Sequence, residues 1–238
     1  MNKVALISGA NRGIGKAVAS SLAKQGNDLI LVARNQADIE DLAETLQSQY
    51  QIKVATIICD IRDVAESSDQ ITATIAQMGG LDLLVHSAGI FHYGTSIVAK
   101  SQLHELFDIN VVGAQQLTNI CLPAIKDTKG RIVFISSVTG LQGFAPVGGY
   151  AASKFALVGY AQSLAKELLD CGVKVTTLCP DVVNTDMGKP SGLADEQMID
   201  PQDICTSIDY LSQLSDAVVI EQITLKCRVI EQMMNVRK

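Results

Sequence analysis

Ser137, Tyr150 and Lys154 are the residues of this chain whose types and spacing most clearly suit chemistry. Tyr150 and Lys154 lie four apart at the head of an apolar-periodic segment, so a helix there puts both on one face. An ammonium beside a phenol favours the phenolate, which predicts a tyrosine pKa below its usual value of about 10. A tyrosine tuned in that way gives and takes a proton near neutral pH, the working condition of a general acid/base. A serine hydroxyl can hold a substrate oxygen against it. A bare Tyr-x-x-x-Lys pair is also a common pattern of helix surfaces, so its weight depends on its surroundings.

Those side chains need a frame. Short runs rich in Val, Ile and Leu alternate with longer amphipathic stretches. The pattern predicts strands over residues 3–8, 28–33, 53–59, 81–86, 131–136, 173–179 and 218–225. It predicts helices over 13–25, 38–49, 64–78, 102–127, 150–169 and 201–211, the long one broken near Asn110. Near-continuous apolar strands suit burial on both faces of a parallel sheet. The expected fold is therefore α/β: one doubly wound, Rossmann-type domain over residues 1–238, about seven parallel strands with helices on both faces. Ligand sites in such sheets lie at the carboxyl ends of the strands. The motifs below fall at such ends or on a helix just beyond one.

Composition narrows the function classes. Hydrophobic content of 47% with 18% charged residues excludes a disordered chain. A net charge of −6 argues against a partner that is nucleic acid. No apolar run approaches the roughly 18 residues of a membrane span, so no membrane partner is expected. The opening MNKVALISGA reads as a first strand rather than a signal peptide. The six cysteines, Cys59, Cys121, Cys171, Cys179, Cys205 and Cys227, make no CxxC and no zinc-type spacing. They read as small core residues of a cytoplasmic protein, with no metal site.

The first strand runs into Gly9-Ala10-Asn11-Arg12-Gly13-Ile14-Gly15. Glycines let backbone approach a pyrophosphate, and a helix N-terminus adds amides and positive potential. The spacing is GxxxGxG, not the GxGxxG of the general dinucleotide fingerprint. An NAD site would place an acid on the ribose about 20 residues further on. Arg34 stands there instead, and a guanidinium suits a 2′-phosphate. Arg12, in the glycine loop, can reach the same group. NADP(H) is therefore expected over NAD(H). The third strand ends at Cys59-Asp60-Ile61, where Asp60 either accepts from an adenine amino group or caps the next helix. The fourth ends at His86-Ser87-Ala88-Gly89, where small residues let a ribose lie against backbone. His86 reads as a core histidine.

Together these residues resemble the short-chain dehydrogenase/reductase family over nearly the whole chain. SGANRGIG is similar to its TGxxxGxG motif, with Ser8 for threonine. Asp60 matches its adenine-contacting aspartate, and Asn110, in LFDINVVG, its catalytic asparagine. Ser137, Tyr150 and Lys154 match its Ser and Tyr-x-x-x-Lys set, including the thirteen-residue step from serine to tyrosine, which the neighbouring Ser136 does not fit. The segment PDVVNT resembles the PGxVxT that meets a nicotinamide carboxamide, which implies a backbone contact from Val183 and a hydroxyl contact from Thr185. The resemblance implies hydride transfer between a nicotinamide and a carbonyl or alcohol. Ser137 then holds the substrate oxygen and Tyr150 exchanges its proton. Lys154 tunes Tyr150 and bonds the ribose, and Asn110 holds a water in a relay to solvent. The chain departs from the family at HSAG, where the family has NNAG, and at Pro180-Asp181, where it has PG. The first puts sheet bracing in question, and the second sets a carboxylate near the nicotinamide end.

Substrate contacts are expected from the less regular residues 91–95, 142–147 and 187–199, the last of which suits a mobile lid. Met187, Leu193, Met198, Phe91, Phe144 and Val147 are candidates for an apolar pocket, yet nothing selects one small-molecule carbonyl or alcohol. Helices over 102–127 and 150–169 carry apolar residues beyond one core stripe. By resemblance they pair in a homodimer or homotetramer. The tail after Leu225 retains Val229, Ile230, Met233 and Met234, which dock on a neighbour or pack locally. The leading expectation is an NADPH-dependent carbonyl reductase. The competing ones are a non-catalytic NADP(H)-binding sensor or scaffold, and a Rossmann-like methyltransferase. The latter gives no reason for the Tyr/Lys pair.

Overall fold

The computed structural model describes residues 2–235. Seven strands form one sheet in the order β3-β2-β1-β4-β5-β6-β7. They are β1 Val4–Ser8, β2 Asp28–Ala33, β3 Val54–Ile58, β4 Leu83–His86, β5 Arg131–Ile135, β6 Lys174–Pro180 and β7 Gln222–Leu225. Every neighbouring pair is parallel. Alternate residues feed opposite faces. Val4 and Leu6 join one core and Ala5 and Ile7 the other, so β1 reads as a continuous apolar run.

Helices α1 Gly13–Lys24, α2 Gln36–Tyr50 and α7 Pro201–Gln213 cover one face. Helices α3 Ser68–Met78, α5 Ala114–Thr128 and α6 Gly148–Leu168 cover the other. Strand order reverses between β1 and β4, which opens a crevice at their carboxyl ends.

Of the predicted helix over 64–78 only Ser68–Met78 is α-helical; residues 64–67 belong to a 3₁₀ stretch, Ile61–Ser67, which Asp60 caps by accepting from the Arg62 amide. The predicted helix over 102–127 is α4 Lys100–Phe107 and α5, joined by a π-helical turn over Asp108–Gly113. Asn110 sits in that turn, so the break expected there is a widened helix rather than a gap. β7 is shorter than its apolar run: the Val218 amide turns back to the Ser215 carbonyl, and the ladder with β6 begins only where the Glu221 carbonyl accepts from the Thr177 amide. The tail forms a short helix, α8 Arg228–Asn235. Among the described residues, no helix is long and apolar enough to cross a membrane. No group of His, Cys, Asp and Glu among them is placed to hold a metal ion. The cysteines are all unpaired.

Candidate active site

The glycine loop shows its purpose in backbone geometry. Gly9 has φ of +67°, and a Cβ there would lie 2.8 Å from the backbone of Ala88. A Cβ on Gly15 would strike the Gly9 carbonyl. Only glycine allows the loop to fold this tightly against the β4 end and the start of α1. Ser8 keeps the role of a hydroxyl at its position: its Oγ accepts from the Ala88 amide at 3.3 Å, tying the loop after β1 to the one after β4.

His86 braces the same seam. Its Nε2 lies 2.9 Å from Thr118 Oγ1, and that hydroxyl donates to the Ala114 carbonyl. The imidazole must therefore donate from Nε2, which leaves Nδ1 as an acceptor with no partner among the described residues. The ring stacks on Phe134 at 4.6 Å, and burial pushes its pKa down to about 3. His86 is the core residue expected. With Ser8 it supplies bracing where the asparagines of NNAG are missing.

Loops after β1, β2, β3, β4, β5 and β6 surround a cavity of about 780 Å³. Its wall includes Gly9, Asn11, Arg12, Gly13, Ile14, Arg34, Asp60, Ile61, Ala88, Gly89, Ser137, Tyr150, Lys154, Val183 and Thr185. Residues scattered over the chain thus meet in one place. Gly15 and Asn110 stand behind the wall.

Tyr150 opens the buried face of α6, with Lys154 one turn on. Its ring meets Phe91 edge-on at 4.9 Å, and Lys154 Nζ lies 5.6 Å from the ring centroid. The expected depression of the phenol is not found. Burial pushes Tyr150 up to about 12, opposed by a hydrogen bond with Ser137. Burial also pushes Lys154 down to about 8, against a smaller opposing influence of Cys179, so desolvation dominates at both groups. Lys154 Nζ donates to the Ile135 carbonyl at 3.0 Å. Ser137 is almost fully buried, and its Oγ caps a short 3₁₀ turn by accepting from the Thr139 amide at 3.2 Å. Ser136 Oγ instead donates to the Lys154 carbonyl at 3.3 Å, away from Tyr150.

Asn110 is buried with its side chain committed. Oδ1 accepts from the Ile90 amide at 2.9 Å. Nδ2 donates to the Ile90 carbonyl at 3.1 Å and to Ser153 Oγ at 3.0 Å. Ser153 Oγ donates in turn to the Tyr150 carbonyl at 2.8 Å. The amide therefore positions the segment after β4 against the helix of Tyr150. Its Oδ1 and Lys154 Nζ both face Gly89, where a Cβ would lie 3.3 and 3.7 Å from them.

Asp60 caps the 3₁₀ stretch and also stands in the cavity wall, so capping does not remove it from the place of an adenine contact. Arg62, which the sequence did not single out, donates from Nε to Asp60 Oδ1 at 3.1 Å and from Nη2 to Oδ2 at 2.8 Å. These bonds hold the Asp60 carboxyl at about 2. Arg34, with 55% of its side chain exposed, approaches Asp60 only at 3.4 Å. Because Arg62 already neutralises Asp60, the Arg34 guanidinium keeps most of its donors free. Arg12 is exposed at the head of α1.

The carboxylate of Asp181 does not point to open solvent. It is half-buried, accepts from the Cys227 amide at 3.4 Å, and burial raises its pKa. Thr185 Oγ1 donates to the Val183 carbonyl at 3.3 Å. Of the apolar candidates, Phe91, Phe144, Val147 and Met187 line the cavity. Leu193 and Met198 do not: Leu193 packs on the core beneath α1 and α7, and Met198 is buried. His92 and Glu105, unremarked in the sequence, pair at 2.9 Å in the cavity wall.

Residues 3–196 match the family described as short chain dehydrogenase. An uncharacterized oxidoreductase from Staphylococcus saprophyticus is 30% identical over 227 residues, covering 94% of this chain and 97% of the relative. A betaketoacyl-[ACP] reductase from Bacteroides thetaiotaomicron superposes with a TM-score of 0.85 at 31% identity, over 98% of this chain and 100% of that one. An alcohol dehydrogenase from the archaeon Thermococcus sibiricus, complexed with 5-hydroxy-NADP, gives 0.88 at 27% identity, over 96% and 97%.

Proposed function

The chain belongs to the short-chain dehydrogenase family of oxidoreductases, and from that premise we propose that it reduces a small-molecule carbonyl to a secondary alcohol with NADPH. The observation that carries this reading is that Ser137, Tyr150 and Lys154 share one cavity with the glycine loop and two arginines. The names of the two solved relatives, one a reductase and one holding an NADP-type ligand, support it.

Gly9, Gly13 and Gly15 let the loop pack closely enough to present its backbone to a pyrophosphate, since side chains there would strike neighbouring backbone or strain the turn. Asn11 and Ile14 flank them. Arg34 and Arg12 hold a 2′-phosphate, and Asp60 and Ile61 border the adenine. Ala88 and Gly89 leave room for a ribose, which Lys154 bonds, while Val183 and Thr185 meet the carboxamide. Bound there, the nicotinamide supplies a hydride.

Ser137 donates a hydrogen bond to the substrate oxygen and Tyr150 protonates it. Burial keeps the Tyr150 phenol protonated, the form a donor needs, but also makes it a weaker acid, so the transfer needs a charge that favours the phenolate. The Lys154 ammonium lies close enough to stabilise the phenolate formed as the proton leaves. Asn110 keeps this group in register, and a relay to solvent passes by its place beside Gly89. We place the protein in the cytoplasm. We also expect a homodimer or homotetramer, supported by Val112 and Phe155, which lie 42% and 46% exposed beside α5 and on α6.

The test is a panel of ketones and aldehydes followed at the NADPH absorbance band, with NADPH binding measured in parallel. Oxidation of NADPH dependent on a carbonyl is expected. Binding without turnover on any carbonyl overturns the reading in favour of a sensor.

A further inference from the structure

The C-terminal segment belongs to the wall of this cavity. Ile230, on α8, lines it together with Asp181, Met187 and Pro190. The segment is tied to the end of β6 by a continuous set of bonds. The Asp181 amide donates to the Leu225 carbonyl at 2.8 Å, extending the pairing of β6 with β7. The Asp181 carboxylate then accepts from the Cys227 amide, and Cys227 Sγ donates to the Val182 carbonyl at 3.2 Å. Cys227 is 2% exposed, and its carbonyl accepts from the Glu231 amide at 3.1 Å, so the clasp runs into the first turn of α8. Ile230 completes the contact by packing on the same core as Val182 and Leu225.

The residue at 181 matters because an aspartate stands where PGxVxT has glycine. Its φ is not in the left-handed region, so the backbone there does not require glycine. The side chain is free to act, and it reaches the one amide that starts the C-terminal turn.

We propose that α8 is a fixed wall of the cavity at its β6 end, that Ile230 limits the bulk of the carbonyl accepted there, and that Asp181 is the positioning residue that holds the helix in place. This rests on the carbonyl-reductase reading. An apolar side chain in a pocket wall discriminates through steric fit, which is worth roughly 10–200-fold between substrates differing by one small apolar group.

The test uses the full chain with NADPH and a graded series of phenyl ketones, acetophenone to valerophenone. Ile230→Ala is expected to raise the valerophenone-to-acetophenone ratio of kcat/KM by about tenfold, with the Kd for NADPH unchanged. A ratio within about twofold of wild type, or an equal fall for every ketone, overturns the role of Ile230. Asp181→Gly is expected to speed amide hydrogen exchange over residues 226–235 and to raise KM for the ketones more than it lowers kcat. Asp181→Asn, whose amide oxygen accepts the same bond, is expected to restore both. Exchange in Asp181→Gly that matches wild type overturns the clasp. A wild type that binds NADPH and reduces no ketone overturns the carbonyl-reductase reading instead. The exchange comparison still decides the clasp, and ketone affinities from quenching of bound NADPH fluorescence decide the Ile230 ratio.

Discussion

Replacing Asn110 by alanine separates a positioning asparagine from one whose side chain only holds a water. The side chain is 1% exposed and makes three hydrogen bonds: from the Ile90 amide, to the Ile90 carbonyl and to Ser153 Oγ. Asn110→Ala removes the partners of both polar groups of Ile90 in a half-buried seam at the cavity wall, while Ser153 keeps its bond to the Tyr150 carbonyl. At about 1 kcal/mol net per bond, and more where a buried partner is left unpaired, the expected loss is about 3–4 kcal/mol. For a chain of this size that corresponds to a fall in Tm of roughly 10 °C. Ser153→Ala, which removes one bond on each side, is expected to lose about 1–2 kcal/mol. Urea unfolding and calorimetry of the wild type and the two variants give the comparison. An Asn110→Ala variant less than about 1 kcal/mol below wild type refutes the reasoning, because a side chain engaged only with solvent would behave that way.

Arg34→Asp removes the guanidinium from the proposed 2′-phosphate site and puts a like charge there. The ratio of kcat/KM for NADPH over NADH is expected to fall by roughly tenfold to a hundredfold, and an unchanged ratio removes Arg34 from that site. The pH profile of reduction is expected to be set by Lys154, lowered to about 8, and not by Tyr150, raised to about 12. Rates hold below pH 8 and decline above it as the ammonium is lost; a profile level to pH 10 contradicts this. The same depression has a stability sign. Between about pH 8 and the usual lysine value near 10.4, the unfolded chain binds more protons, so stability rises with pH across that window.

Most of the frame was legible because buried parallel strands and amphipathic helices leave different periodicities. The site was legible where a motif has backbone logic, as at Gly9 and Gly15, or a fixed spacing, as from Ser137 to Tyr150. What stayed hidden depended on contacts between distant segments. The rise of the Tyr150 pKa stays hidden in the sequence because spacing shows a nearby ammonium but not the burial of the phenol. The kink at Asn110 was visible, but its π-helical form and the bonds to Ile90 depend on how the segment after β4 packs. Arg62 lay two residues from Asp60, and a cation so near a capping acid was a signal for the pair. The Asp181–Cys227 clasp spans 46 residues and left no local trace beyond the departure from PG. Leu193 and Met198 were apolar in a loop, and only the fold shows that they feed the core rather than the cavity.

The central claim is that Tyr150 hands its proton to a carbonyl oxygen held by Ser137. It is tested most directly by Tyr150→Phe, which keeps the ring packed on Phe91 and removes only the hydroxyl. Single-turnover reduction of the best carbonyl, with NADPH affinity measured by fluorescence, gives both readouts. The account predicts a fall in rate of about 10²–10⁴-fold with NADPH affinity within about threefold of wild type. A variant that reduces the carbonyl at the wild-type rate contradicts it.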